Sequence, residues 1–280
     1  MITSAALFLG LLLFTNCQRG KEVKEYYENG KLKHVGVVED GKQEGNWTFY
    51  YENGNIKRVE NYVNGKVEGE IKQYFENGQL EAAGLVTNNK QTGAWTYFHK
   101  NGEMDQKGSW ENGKKTGNWK IYYEDGNLQV EGSYRNGLEN GEWKNYYANG
   151  KLKQIGRFDD DKRNGEWKYY FENGKLQKEG TFVDGKENGK WKLYHENGEL
   201  KSEGEVKNGV AEGIWKTYYD NGKTDQEGSY TNGKQTGEWK GYDKNTGGLI
   251  YVGSYVDGKK SGIWKVYDEN GKLKAEKSFD

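Results

Sequence analysis

The chain has 280 residues, of which 30% are charged, 32% hydrophobic and 15% aromatic, and its formal net charge is −1. That near-neutral balance lacks the basic footprint of a nucleic-acid binder. Ten Trp, 22 Tyr and nine Phe, most of them at fixed spacings, exclude the disordered tail that so hydrophilic a bulk would otherwise suggest.

The first predicted element is a leader over residues 1–16. Ala5 to Phe14 form a short apolar run, below the ~20 residues that cross a bilayer as a helix and within the length of a secretory h-region. The one cysteine, Cys17, leaves no intramolecular disulfide framework and no cysteine-rich metal site. Phe14-Thr15-Asn16-Cys17 resembles a bacterial lipobox, which implies cleavage before Cys17, lipid attachment at its thiol, and an exported lipoprotein anchored in the bacterial envelope. Phe14 and Asn16 stand where Leu and a small residue are usual, and the leader carries no Lys or Arg. A plain signal peptide with a free thiol is the alternative. Residues 17–22 form a short tether, ~20 Å at full extension.

Residues 23–280 form one array. Its units begin at Val23, Trp47, Ile71, Trp95, Trp119, Trp143, Trp167, Trp191, Trp215, Trp239 and Trp264. A fixed period of this length marks one supersecondary unit copied and stacked. In the unit that starts at Trp167, Asn173-Gly174 separates two alternating segments and is the strongest short-range signal for a two-residue type I′ hairpin. Folding about it places Glu172 opposite Lys175, Phe171 opposite Leu176, Tyr170 opposite Gln177, Lys168 opposite Glu179 and Trp167 opposite Gly180. A second turn closes each unit, for example Asp184-Gly185, so each unit is two strands and two turns and the array counts twenty-two strands.

Repeated along the chain, this register pairs Trp119, Trp143, Trp167, Trp191 and Trp215 with Gly132, Gly156, Gly180, Gly204 and Gly228. Each indole is expected to lie over the glycine thirteen residues later and so to fix its own hairpin. Lys120 with Glu131, Lys192 with Glu203, Lys216 with Glu227 and Lys265 with Glu276 repeat the Lys168–Glu179 pair; such pairs contribute roughly 0.2 to 1 kcal/mol each. Because strand residues alternate between faces, Trp and the aromatic three residues on lie on opposite sides. The Trp side is expected to take also the Leu after the first turn and the apolar residue two past the glycine, Trp110 among them. The fold class is all-β: an elongated, twisted, single-layer antiparallel sheet of about eleven 24-residue hairpin repeats. The chain contains no proline, as suits a sheet whose backbone N–H groups are nearly all needed for the ladder.

The pattern Glu-Gly-x-Tyr-x-Asn-Gly-Lys-x-x-Gly-x-Trp-Lys-x-Tyr-Tyr-Glu-Asn-Gly resembles the MORN repeat in the variant found in the YwqK antitoxin-like group of bacterial proteins. A plain MORN unit tends to carry Gly where this chain has Trp, as at Trp143. The resemblance covers Val23 to about Asp280. It implies an elongated β array for protein or membrane-surface contact and no enzyme.

No non-repeating cluster of reactive groups stands against that reading. His34, His99 and His195 fall in the first, fourth and eighth units; His99 and His195 occupy a position that elsewhere holds Tyr or Phe and read as aromatic substitutes. Asp159-Asp160-Asp161 replaces a turn and reads as a solvated tip, because calcium needs six or more oxygens at fixed spacing. Gly247-Gly248, in the one longer unit, reads as a three-residue hairpin loop. No catalytic residue, metal or cofactor is expected. The preferred reading is a non-enzymatic, surface-anchored scaffold that binds a protein partner or membrane-surface component through the Tyr row, with Tyr122, Tyr146, Tyr170, Tyr194 and Tyr218 as candidate contacts. The alternatives are an antitoxin or immunity protein that neutralises a cognate toxin, and a carbohydrate-binding surface protein.

Overall fold

The computed structural model describes residues 20–279; the leader and Cys17 lie outside the described residues. Among these are 23 strands and no helix. All strands belong to one antiparallel sheet, in which neighbours in the chain pair from Lys21–Tyr26 at one edge to Leu273–Phe279 at the other, save that Lys66–Val67 and Gly69–Tyr74 both pair with Ile56–Val63. The array is the expected succession of hairpins, and its first strand takes in Lys21 and Glu22 of the expected tether. The extra strand arises where Lys66–Val67 and Gly69–Tyr74 are separated at Glu68, whose N–H still donates to Asn61 O at 2.8 Å.

The type I′ turn expected at Asn173-Gly174 is found instead at the turn that closes each unit. Asp184 and Gly185 both have positive φ, 49° and 80°, and join the partners Val183 and Lys186, which makes the closing turn the two-residue type I′ turn. At the other end only Gly174 is positive, at 91°. Gly174 N–H donates to Phe171 O and Phe171 N–H to Lys175 O, both at 2.8 Å, the pattern of a three-residue loop ending in a glycine bulge. The asparagine explains the choice. With ordinary φ, Asn173 accepts the Lys175 N–H at its Oδ1 (2.8 Å) while its Nδ2 donates to Glu196 O of the next unit (3.2 Å).

The additional loop residue displaces the pairs nearest the turn. Tyr170 faces Leu176, not Gln177, and the expected Glu172–Lys175 and Phe171–Leu176 pairs are absent. Directly opposed residues share a face, so the Leu row lies beside the Tyr row and not with the indoles. Farther from the turn the expected register holds: Lys168 opposes Glu179 and Trp167 opposes Gly180.

The indoles do not lie where that pairing suggests. An added Cβ on Gly156 would fall inside the Trp167 ring, and on Gly180 inside the Trp191 ring. Each ring therefore covers the glycine eleven residues before it, in the preceding unit. The cause is a bulge. Arg157 pairs with Asn164 and Gly156 with Trp167, leaving Gly165 (φ 77°) and Glu166 extra, and a bulge re-aims the side chain that follows it. The interrupted ladder leaves the Arg157 carbonyl to accept the Trp167 indole N–H at 3.2 Å. Trp95 and Trp215 donate likewise to Leu85 and Glu205, at 2.9 and 3.0 Å. The tryptophan thus fastens one unit to the last and does not close its own hairpin.

Candidate functional site

On the indole face a zipper of rings seals the tryptophans. Phe158 sits edge-on between Trp143 and Trp167, at 6.1 and 5.1 Å between centroids, and Phe182 does the same between Trp167 and Trp191, at 5.9 and 5.3 Å. Trp110 occupies that slot beside Trp119 at 5.6 Å, as expected from its place two past a glycine. Cations cap several rings: Lys115 lies 4.1 Å from the Trp119 centroid, Arg163 4.6 Å from Trp167 and Lys178 4.3 Å from Trp191. Burial holds the Lys115 ammonium below its usual range. Trp119, Trp167 and Trp191 are each 1% exposed, an unusual burial for a sheet with a single layer. It arises because glycine backbone lies below each ring and a neighbouring ring or cation beside and above it.

The opposite face carries charge and tyrosine. Except for Glu276 on the edge strand, each glutamate expected to meet one lysine lies between two: Glu131 opposes Lys120 and Lys144, and Glu227 opposes Lys216 and Lys240. Ion pairs form at 3.4 Å for Lys120–Glu131, 4.0 Å for Lys168–Glu179 and 2.9 Å for Lys216–Glu227. Glu203 opposes Lys192 as expected, but its carboxylate meets Lys190 at 2.8 Å.

The Tyr row is tied into this ladder. Tyr146, Tyr194 and Tyr218 donate their hydroxyls to Glu131, Glu179 and Glu203, at 2.8, 2.8 and 3.0 Å. Burial, and then the carboxylate acceptor, pushes the Tyr146 and Tyr194 phenols up to about 12, and Tyr218 is raised for the same reasons. Tyr122 and Tyr170 differ, because Lys107 and Ile155 stand where the others have glutamate. The five candidate contacts therefore divide: three hold the sheet together and two have no such carboxylate.

His99 and His195 act as the aromatic substitutes the spacing suggests. Their Nε2 atoms contact the Tyr122 and Tyr218 carbonyls at 3.1 and 2.8 Å, as the Tyr123 hydroxyl contacts Tyr146 O at 2.7 Å. A carbonyl can only accept, so Nε2 carries the proton. Asp160 pairs with Arg135 at 2.9 Å and Asp161 accepts the Glu139 N–H at 2.6 Å, which makes this acidic tip part of the turn edge. Among the described residues no group of His, Cys, Asp and Glu is placed to hold a metal ion. The long loop holds four residues between Asp243 and Gly248, whose backbones bond at 2.8 Å, and not the expected three, because one residue is added to a loop that already has three.

Sequence reading missed a buried polar cluster on the indole face. Glu60 is 2% exposed, accepts the Tyr62 hydroxyl at 2.7 Å and lies 3.0 Å from Arg58 Nε. Burial, and then Glu60, pushes the Tyr62 phenol up to about 12. Glu60 stands at a glycine position, and eleven residues later Ile71 stands at a tryptophan position. Paired loss of both residues was the available signal.

The profile of the family described as MORN repeat variant matches residues 19–36, 43–64, 67–88, 91–112, 115–136, 139–160, 163–184, 187–208, 211–232 and 260–280. No curated protein sequence matches the chain. Among solved structures, a TcdB2-TccC3-Cdc42 complex aligns with 92% of this chain at 12% identity and a TM-score of 0.20. The Photorhabdus luminescens Tc holotoxin pore aligns with 92% at 14% identity and a TM-score of 0.20. This chain spans 17% and 15% of the lengths of those two.

Proposed function

We propose that this chain, which belongs to the MORN repeat variant family, serves as a non-enzymatic repeat scaffold, anchored at a bacterial envelope through Cys17, that binds a protein partner on its Lys, Glu and Tyr face. The family is one of non-catalytic repeat scaffolds. The observation that carries the choice of face is the asymmetry of the two sides. The indole side is largely sealed by its own rings, whereas the other side offers a regular charge ladder with half-buried tyrosines. Ile214 and Ile263, 65% and 59% exposed, add apolar contact area there. Tyrosine and tryptophan dominate protein contacts because they bury large area at small entropic cost.

Tyr122 and Tyr170 are the contacts this reading selects, since their removal spares the Tyr–Glu bonds of the sheet. Capture from membrane extracts by the wild-type protein, repeated with Tyr122→Ala and Tyr170→Ala, is expected to lose one stoichiometric protein without a fall in melting temperature. A capture pattern indifferent to both changes refutes the choice of face. For anchoring, Cys17→Ala is expected to abolish palmitate labelling and release the protein to the soluble fraction; unchanged labelling refutes it.

A further inference from the structure

One indole of the 24-residue tryptophan row escapes the seal. Eight tryptophans that follow a glycine by two residues are 1–6% exposed, whereas Trp215 is only half-buried. Four of the positions that cover its counterparts carry small side chains, while Tyr230 still packs edge-on to it at 6.2 Å between centroids. Val206 stands where Phe182 packs on Trp191, Ala211 where Arg163 caps Trp167, Ser202 where Lys178 caps Trp191, and Thr217 where Tyr169 stacks on Trp167. The result is a depression with an indole as its floor.

Its rim is polar on one side. Ser202 opposes Thr217, and Thr217 opposes Gln226. Ser202 and Thr217 also line an adjoining cavity with His195, Tyr218, Asp225 and Lys244, whose wall does not include Trp215. The Thr217 hydroxyl donates to Asp225 Oδ2 at 3.1 Å, and Lys244 pairs with Asp220 at 2.6 Å. Trp215 and Thr217 are two apart on one strand, so they share a face about 7 Å apart.

We infer that this depression is a binding site for a pyranose ring of an oligosaccharide. An indole face is electron-rich and attracts the polarised C–H groups on the apolar side of a sugar ring. Sugar hydroxyls both donate and accept, and the rim offers the matching set: a carboxylate acceptor at Asp225, hydroxyls at Ser202 and Thr217, and a donor at Lys244. An apolar peptide side chain would fit the floor but would desolvate the Asp225 carboxylate, to which the Thr217 hydroxyl is bonded, without supplying a donor, at a cost that disfavours it. The indole lies on the face opposite Tyr122 and Tyr170, the protein contacts proposed above.

The test is saturation-transfer NMR with methyl glycopyranosides and short oligosaccharides of glucose, galactose, mannose and N-acetylglucosamine, followed by calorimetry on those that bind. The decisive variant restores the caps of neighbouring units, Ser202→Lys with Ala211→Arg, and leaves Trp215 in place. It is expected to keep or raise the melting temperature and to weaken sugar binding at least about tenfold; Asp225→Asn is expected to weaken it with the fold intact. Tyr170→Ala is expected to leave sugar binding unchanged. Absence of binding by the wild-type protein at millimolar sugar overturns the inference, as does equal binding by the capped variant or preference for an aromatic peptide.

Discussion

At the scale of single residues, Tyr146, Tyr194 and Tyr242 do two things with one hydroxyl: each fills space beside the ladder and satisfies a glutamate of the previous unit, at 2.8 Å in all three. Burial, and then the carboxylate acceptor, raises their phenols to about 12, against about 10 in an unfolded chain. A raised folded value means that the stabilisation is whole below about pH 10 and is lost as pH climbs from about 10 to about 12. The melting temperature is expected to fall across that window, and the triple variant Tyr146→Phe, Tyr194→Phe, Tyr242→Phe to fall less steeply. An equally steep fall breaks the link between these hydroxyls and alkaline unfolding. The acid side runs the other way: the Tyr146 hydroxyl holds Glu131, and Lys216 holds Glu227, below the usual carboxylate range, so their contribution is lost as pH falls below that range.

At the scale of the element, the seam between units is the unit of construction. Glycine is kept at 36, 84, 108, 132, 156, 180, 204, 228 and 253, and in each case a tryptophan follows eleven residues later and covers it. Trp47 opposes Glu60, and Trp264 opposes Lys277, so a rule linking each tryptophan to a later glycine fails twice where the rule linking it to an earlier one does not fail. The seam at Glu60 and Ile71 has lost both members. Ile71→Trp alone drives an indole into the Glu60 side chain, and Glu60→Gly alone leaves the half-exposed Arg58 without its carboxylate beside a void; both are expected to lower stability. Together they rebuild the standard seam. A double-mutant cycle in denaturant is expected to show favourable coupling of roughly 1 to 3 kcal/mol; additivity rejects the seam mechanism.

At the scale of the whole molecule, each unit touches only its neighbours, so stability is close to a sum of unit and seam terms. Removing Trp143 opens the seam to Gly132 in mid-array and strips Tyr134 and Phe158 of their packing partner, whereas Val23 lies on an edge strand paired on one side only. Trp143→Gly is therefore expected to cost at least about 3 kcal/mol and to split the thermal melt, and Val23→Gly to cost much less. Equal losses would contradict nearest-neighbour stabilisation. The same arrangement localises function, because one unit can change its surface, as at Trp215, without disturbing those far from it.

What the residues determined alone is the array: period, strand count to within one, the Lys–Glu register and the sharing of faces by Trp and the ring two past each glycine. Each follows from alternation and from a period that a single chain displays. The near-turn pairs and the direction of the indoles were decided by the tertiary structure. Asn-Gly satisfies two hairpin geometries, and the choice between them rests on a bond from Asn173 to the next unit's backbone. A bulge at Gly165 aims Trp167 backward at Gly156, and pairing alone cannot distinguish the glycine eleven before from that thirteen after, since both flank the same tryptophan in the sheet. The half-buried Trp215 was hidden for a related reason: Ala211 and Thr217 on its own strand and Ser202 and Val206 on the one before are the small residues beside it, and only the packed sheet shows that these positions cover an indole.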